Sequence, residues 1–206
     1  LLPQAEAALK GWTARFPTHS RAALDLQIWD VIAAKCLDNG AKMSAGAIIL
    51  QGDLYLRPHE ILGLRKKAVL KPVSSRSKYG GVVLAQQEDE VPTKTGTYDD
   101  CVLLDTVCRS DVQIVLKSLY NKTATKESYL FPALTMSSYA VDISRACEGL
   151  GLGRLKLTPH GLRHSGPSTD SLHRIRDITT IQARARWKSP SSVARYKKPG
   201  RMFLLH

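Results

Sequence analysis

AVLKPVSSRSKYGGVVLAQQEDEVPTKTGTYDDCVLLD, residues 68–105, is the stretch on which the fold class turns. Within it three short runs rich in Val and Leu alternate with polar connectors: AVLKPV (68–73), GVVLAQ (81–86) and DCVLLD (100–105). Runs of this length and composition, bounded by Gly, Ser, Pro and Asp, read as strands. The connectors SSRSKYGG (74–81) and QQEDEVPTKTGTYDD (86–100) read as exposed turns, the second one acidic. A small antiparallel sheet of three strands is predicted.

On either side the periodicity is helical. Upstream, residues 3–14 form a short Ala-rich helix. Residues 21–39 carry Leu24, Ile28, Val31, Ile32 and Ala34 at helical spacing and close on Asn39-Gly40, a C-terminal cap. Residues 43–56 hold the longest apolar run, AGAIIL (45–50), and predict a buried helix. Arg57-Pro58 marks a break and a restart, since proline disfavours helix before it and suits the first turn after it. HEILGLR (59–65) then continues as a short helix. Downstream, helices are predicted over 107–120 and 136–149, the latter capped by Gly149, Gly151 and Gly153. Another starts at Pro159 with Thr158 as N-cap, and further stretches cover about 169–182 and 190–197. The class is mainly α with a small antiparallel three-stranded β-sheet (α+β).

The 206 residues carry a formal net charge of +12, which favours a polyanionic partner. Between Arg154 and His206 stand twelve Lys or Arg against two acids, Asp170 and Asp177. Arg154, Lys156, Arg184, Arg186, Lys188, Arg195, Lys197, Lys198 and Arg201 are candidate DNA-facing cations. On charge alone a basic protein with a solvated face fits as well. Cys36, Cys101, Cys108 and Cys147 show neither CxxC pairing nor metal-finger spacing, which points to a reducing compartment and ordinary packing. No charged-then-apolar leader and no run of 18 apolar residues is present, against secretion or membrane spanning. The opening Leu1-Leu2-Pro3-Gln4, without Met, predicts a piece of a longer protein.

Metal-independent cleavage of a phosphodiester needs a nucleophile, cations around the non-bridging oxygens and a proton donor for the leaving oxygen. The chain offers basic residues in structured contexts and no clustered carboxylates to hold two magnesium ions. Arg57 starts a helix one turn before Glu60, a carboxylate able to hold it rigid, and its planar fork suits two phosphate oxygens. His160 and Arg163 lie three apart and share a helix face. His160 and His164, at i and i+4, match zinc spacing, but no Glu follows His160 and no third ligand is evident. Lys94 lies on a turn between two strands, and Trp187 stands nine residues before Tyr196. Taken singly, each of these residues has an ordinary structural explanation.

Their joint arrangement resembles the tyrosine recombinase (phage-integrase-like) family. There an R-x-x-E-[IL]-x-x-L-R segment carries the first arginine, matching Arg57 to Arg65. A hairpin lysine in T-K-T-G matches Lys94, followed by the strand CVLL. H-x-L-R-H matches His160 to His164. A His or Trp nine residues before a tyrosine in an R-Y context matches Trp187, Arg195 and Tyr196. The four motifs occur in the family's order across roughly residues 20–200.

The resemblance implies a mechanism residue by residue. Tyr196 would attack the scissile phosphate, forming a 3′-phosphotyrosyl link and releasing a 5′-hydroxyl. Arg57 and Arg163 would bind the non-bridging oxygens. His160 would accept the tyrosine proton or hold an oxygen, Lys94 would act as general acid, and Trp187 would donate its indole N–H. Glu60 would orient rather than react, and neither metal nor other cofactor would be needed. Double-stranded DNA is the implied partner, a homotetramer the implied assembly, and an intracellular site with DNA the implied location. Three features depart from the family. Gly166-Pro167 should end or bend the helix carrying Arg163. Only ten residues follow Tyr196, leaving little of a tail helix. Residues 1–20 are too short for a core-binding domain, so 21–206 reads as a catalytic domain and 1–20 as a linker or remnant. The leading reading is a recombinase or integrase of a mobile element or host. The alternatives are a type IB topoisomerase-like enzyme and a domesticated, inactive DNA-binding domain.

Overall fold

The architecture is described from a computed structural model, for residues 23–72, 80–89, 96, 98–105, 109–189 and 192–193. Helix α1 (Leu26–Asp38) starts at Asp25, whose side chain accepts from the Gln27 N–H, and stops at Asn39 before Gly40, at φ +82°. Helix α2 (Lys42–Leu54) is buried on nearly every side, from Ser44 through Leu54. A helix buried all round belongs at the centre of a bundle, and α2 packs against α1 and against three helices from the second half of the chain. Tyr55, in the left-handed region at φ 52°, caps α2 and turns the chain into the short helix α3 (Pro58–Leu62). Arg57 is the extended N-cap that the Arg-Pro pair predicts. Helix α3 ends at Gly63 rather than running to residue 65. Arg65 instead forms an isolated antiparallel bridge with Tyr129, and the neighbouring Leu130 N–H donates to the Leu64 carbonyl.

The sheet has the predicted three antiparallel strands in the order β1-β2-β3, all shorter than the runs that announced them: β1 (Val69–Leu70), β2 (Gly81–Leu84) and β3 (Asp100–Leu103). Val82 pairs with Val69 on one side and Val102 on the other, and Val82 and Val102 are buried. Two local causes shorten the strands. Pro72 brings no N–H to the ladder, and Ala85 enters the left-handed region at φ 51°, which turns the chain away from β3.

Helices α4 (Ser110–Lys122) and α5 (Met136–Gly149) follow the predicted periodicity, α5 within the expected limits. Helix α6 (Pro159–Leu172) starts as read, with the Thr158 hydroxyl accepting from the Gly161 N–H at 3.3 Å. Of the two outcomes expected at Gly166-Pro167, an end or a bend, the first does not occur: the helix runs through Pro167. An interior proline costs about 3 kcal/mol locally, and the α6 segment around it is locked from outside. The Ser165 hydroxyl accepts from the Leu24 N–H at 3.2 Å and from the Trp29 indole at 2.9 Å, and the Thr169 hydroxyl accepts from the Leu26 N–H at 3.0 Å. Residues 169–182 are correspondingly not one helix. The chain turns after Leu172 and restarts as α7 (Ile178–Arg184), capped by Asp177, whose carboxylate accepts from the Thr180 N–H at 2.8 Å. The expected helix at 3–14, the linker reading of 1–20 and most of the 190–197 stretch fall outside the described residues; of the last stretch, Ser192 and Val193 are described and are helical.

The main core gathers α1, α2, α5, the sheet and Leu162 of α6. A second, smaller cluster of Tyr55, Ile181 and Ala185, with Trp187 packed on it, fastens α7 to the α2–α3 junction. Cys36 and Cys147 are buried in the main core. Among the described residues no helix is long and apolar enough to cross a membrane.

Candidate active site

The N-terminus of α3 sets the first part of the site. Glu60, three residues inside the helix, reaches back with Oε2 to accept the Arg57 backbone N–H at 2.6 Å, while its Oε1 takes the Arg57 guanidinium Nη1 at 2.5 Å. One carboxylate thus caps the helix and pins the side chain that precedes it. Arg57 retains 13% of its side-chain surface, and Glu60 is the only hydrogen-bond partner of its guanidinium among the described residues.

Arg163 arrives from the middle of α6 and is 4% exposed. Its Nη1 donates to the Tyr55 carbonyl at 2.6 Å and its Nη2 to the Ala185 carbonyl at 2.8 Å. Those carbonyls close α2 and α7, so a single planar guanidinium ties three helices together. Its Nη1 also stands 3.6 Å from Glu60 Oε2, which brings the two predicted arginines onto the same carboxylate from segments about a hundred residues apart.

A third arginine joins them. Arg186 Nη2 donates to Glu60 Oε2 at 2.5 Å, and Arg186 is 7% exposed. Its Nε lies 4.0 Å from Asp100 at the start of β3, while Nε and Nη1 are buried and lack hydrogen-bond partners among the described residues. Burial pushes the Arg186 guanidinium down from its ordinary value, and the like charge of Arg57 adds to that against the pull of Glu60. Burial on its own would raise the Glu60 carboxyl. Arg186, the Arg57 N–H, Arg163 and Arg57 outweigh it and hold Glu60 below its ordinary range. Arg184 is also turned inward, donating to the Leu103 carbonyl at 2.7 Å and pairing with Asp53 at 3.3 Å. Arg184 and Arg186 therefore differ from the surface cations that charge counting makes of them. Arg154, Lys156 and Lys188 are exposed.

His160, one turn before Arg163, is exposed at the start of α6, with its ring 5.5 Å from that of His164 in an edge arrangement. Among the described residues no group of three or more His, Cys, Asp or Glu gathers as metal ligands. Trp187 packs on Tyr55, Ile181 and Ala185, and its backbone exchanges hydrogen bonds with Gln182 in both directions. Helices α3 and α6 and the end of α7 thus bring Arg57, Glu60, Arg163 and Trp187 to one region around the α2–α3 junction, while His160 lies one turn before Arg163 on α6. Lys94, Arg195, Tyr196, Lys197, Lys198 and Arg201 lie outside the described residues.

Beneath the arginines lies a layer that sequence patterns do not announce. The Tyr55 hydroxyl donates to Asp170 on α6, and the same carboxylate takes Arg176, which also grips Asp105 at 2.7 Å after β3. Burial, then the adjacent Asp170, raises the Tyr55 phenol far above its usual range, so it remains a hydrogen-bond donor and not a nucleophile. Buried Gln51 on α2 donates to the Pro159 carbonyl at 2.7 Å and accepts from Tyr139 at 2.9 Å, fixing where α6 begins. One signal for this layer was present in the sequence: Asp170, seven residues after Arg163 and so on the same helix face, is one of two acids in a strongly basic stretch.

This order of helices around a small antiparallel sheet is similar to that of the tyrosine-recombinase catalytic domain. The solved structures that share it include XerH site-specific recombinase bound to difH substrate in a pre-cleavage complex. The two superpose with a TM-score of 0.60 at 18% identity, over 84% of this chain and 49% of that one. XerH bound to palindromic difH substrate, in a post-cleavage complex, gives 0.59 at 17% identity, over 85% and 49%. The chain therefore spans about half the length of those solved chains. At the level of sequence, no family model and no curated protein matches.

Proposed function

We propose that this chain is the catalytic domain of an enzyme that cuts and rejoins DNA strands through a covalent phosphotyrosyl intermediate. The observation that carries the reading is the convergence of Arg57 and Arg163 on Glu60, in a fold shared with a site-specific recombinase. Two rigid guanidiniums held by one carboxylate form a preorganised site for the non-bridging oxygens of a phosphodiester, whose negative charge grows in the transition state. Tyr196 is the nucleophile in this reading. Its oxygen bonds to phosphorus as the bond to the 5′-oxygen breaks, and Lys94 supplies the proton that the leaving oxygen takes. A phenol with an ordinary pKa of about 10 needs a proton acceptor, the role given to His160, and the Trp187 indole donates one hydrogen bond to a phosphate oxygen. Because the phosphotyrosyl link retains the bond energy, a 5′-hydroxyl from either strand can reverse the step, which is the basis of recombination or integration. The partner is double-stranded DNA, and the active assembly is a homotetramer.

A nicked suicide duplex tests this directly. Wild type is expected to leave a denaturant-resistant protein–DNA adduct, and Tyr196→Phe none. No adduct with wild type on varied sequences overturns the enzyme reading. In that case DNA binding that weakens steeply with salt would identify a binding domain without cleavage activity.

A further inference from the structure

Arg186 is held where its local chemistry resists it. The residue sits in the left-handed backbone region at φ 57°, which strains a side chain with a Cβ. Its side chain is 7% exposed, its Nε and Nη1 lack hydrogen-bond partners among the described residues, and burial weakens its hold on the proton. Strain, desolvation and unmet donors at a single residue persist only where the surroundings impose them, and such residues cluster at working sites. What imposes them here is Glu60, whose Oε2 Arg186 occupies at 2.5 Å, while Arg163 stands back at 3.6 Å from the same oxygen.

The charge balance explains what this arrangement does. Arg57, Arg163 and Arg186 face one carboxylate, with Asp100 only at 4.0 Å from Arg186. Without Arg186, Glu60 would draw Arg163 inward and cancel most of the charge that the other two arginines present. With Arg186 on Oε2, the carboxylate is already neutralised, and Arg163 keeps its position on the Tyr55 and Ala185 carbonyls. We infer that Arg186 is a positioning residue of the phosphate site: it takes up the Glu60 carboxylate so that Arg57 and Arg163 present their charge to the bound anion. The inference rests on the proposed reading for the identity of that anion, the phosphodiester of DNA, but the site's demand for a tetrahedral oxyanion can be measured separately.

The test uses the full chain and two readouts. In the first, inorganic phosphate is titrated against thermal unfolding, where a ligand of the native state raises the midpoint. Arg186→Met is expected to bind phosphate about tenfold more weakly than wild type, and Arg186→Lys to recover most of the loss because it keeps the charge. The double variant Arg186→Met with Glu60→Gln is expected to bind phosphate more tightly than Arg186→Met alone, since removing the carboxylate restores the charge balance. A residue that merely fills space would show the opposite, with the second substitution adding to the damage. Phosphate affinity unchanged in Arg186→Met, or a double variant weaker than the single, overturns the inference. In the second readout, single-turnover adduct formation on the suicide duplex is expected to slow about tenfold or more in Arg186→Met. A wild-type rate in that variant overturns the inference while leaving the proposed function standing. Arg186-dependent phosphate binding in a wild-type protein that forms no adduct does the reverse. If Arg186→Met does not fold, Arg186→Lys and Arg186→Gly carry the same comparison, glycine relieving the positive φ.

Discussion

One carboxylate among three guanidiniums sets both the geometry and the pH response of the site. Glu60 is buried at 6% exposure, and removing its charge leaves Arg186 and Arg163 without their shared counter-ion. Breaking a buried pair from one side typically costs about 3–5 kcal/mol, so Glu60→Gln is expected to lower the urea midpoint by that order. Because the folded carboxyl is held below its ordinary 4.5, its contribution is present above that value and is lost as pH falls through the lower folded value. Wild-type stability is expected to drop below about pH 4.5 more steeply than that of Glu60→Gln, as followed by urea unfolding across pH 3 to 6. At Arg163 the chemistry is the fork itself. A lysine reaches one of the Tyr55 and Ala185 carbonyls but not both. Arg163→Lys is expected to cost about 2 kcal/mol in the same assay and, in the proposed reaction, to form adduct far more slowly.

Helix α6 carries the second arginine, and its course depends on how closely it approaches α2. A Cβ on Gly166 would lie 2.1 Å from the Gly52 carbonyl and 2.6 Å from the Tyr55 ring, a collision with backbone that no rotamer relieves. Gly166→Ala is expected to destabilise by about 3 kcal/mol or more, or to abolish folding, as measured by urea unfolding. Gly52→Ala meets the ends of the Leu26 and Leu162 side chains at 2.8 and 3.2 Å, which can shift, so about 1 kcal/mol is expected. The same packing explains why the helix runs on through this region. Gly166-Pro167 looks like a stop by local rules, yet the crossing requires the glycine, and hydrogen bonds from Leu24, Leu26 and Trp29 to Ser165 and Thr169 hold the helix through the proline. The start of α6, in contrast, was legible because Thr158 and Pro159 are local signals, satisfied within one turn. Loss of the cap in Thr158→Ala is expected to cost about 1 kcal/mol by the same measurement.

At the scale of the molecule, the basic second half combines two kinds of cation. Arg154, Lys156 and Lys188 are exposed, whereas Arg176, Arg184 and Arg186 are tied to Asp170, Asp105, Asp53 and Glu60 inside the fold. In the proposed function the exposed set supplies non-specific affinity. Replacing Arg154, Lys156 and Lys188 together by alanine is expected to weaken DNA binding about equally on all sequences and to flatten its dependence on salt. Fluorescence anisotropy at several salt concentrations measures both effects.

Most helix and strand locations, the α+β class, the Thr158 cap and the Asn39-Gly40 stop could be read from the sequence because each depends on neighbours a few residues away. The pairing of Arg57 with Glu60 and the shared helix of His160 and Arg163 could be read as well, since both rest on short spacings; the roles given to these residues came only from the family resemblance. The inward turn of Arg184 and Arg186 could not, since an arginine has the same local signature whether its partner is water or a carboxylate 126 positions away. Nor could the Tyr55, Asp170 and Arg176 layer beneath the site, whose members come from the α2 end, α6 and the turn that follows it. Those contacts exist only once α2, α6 and α7 have packed around Tyr55, and that packing decides which charges stay buried and which face solvent.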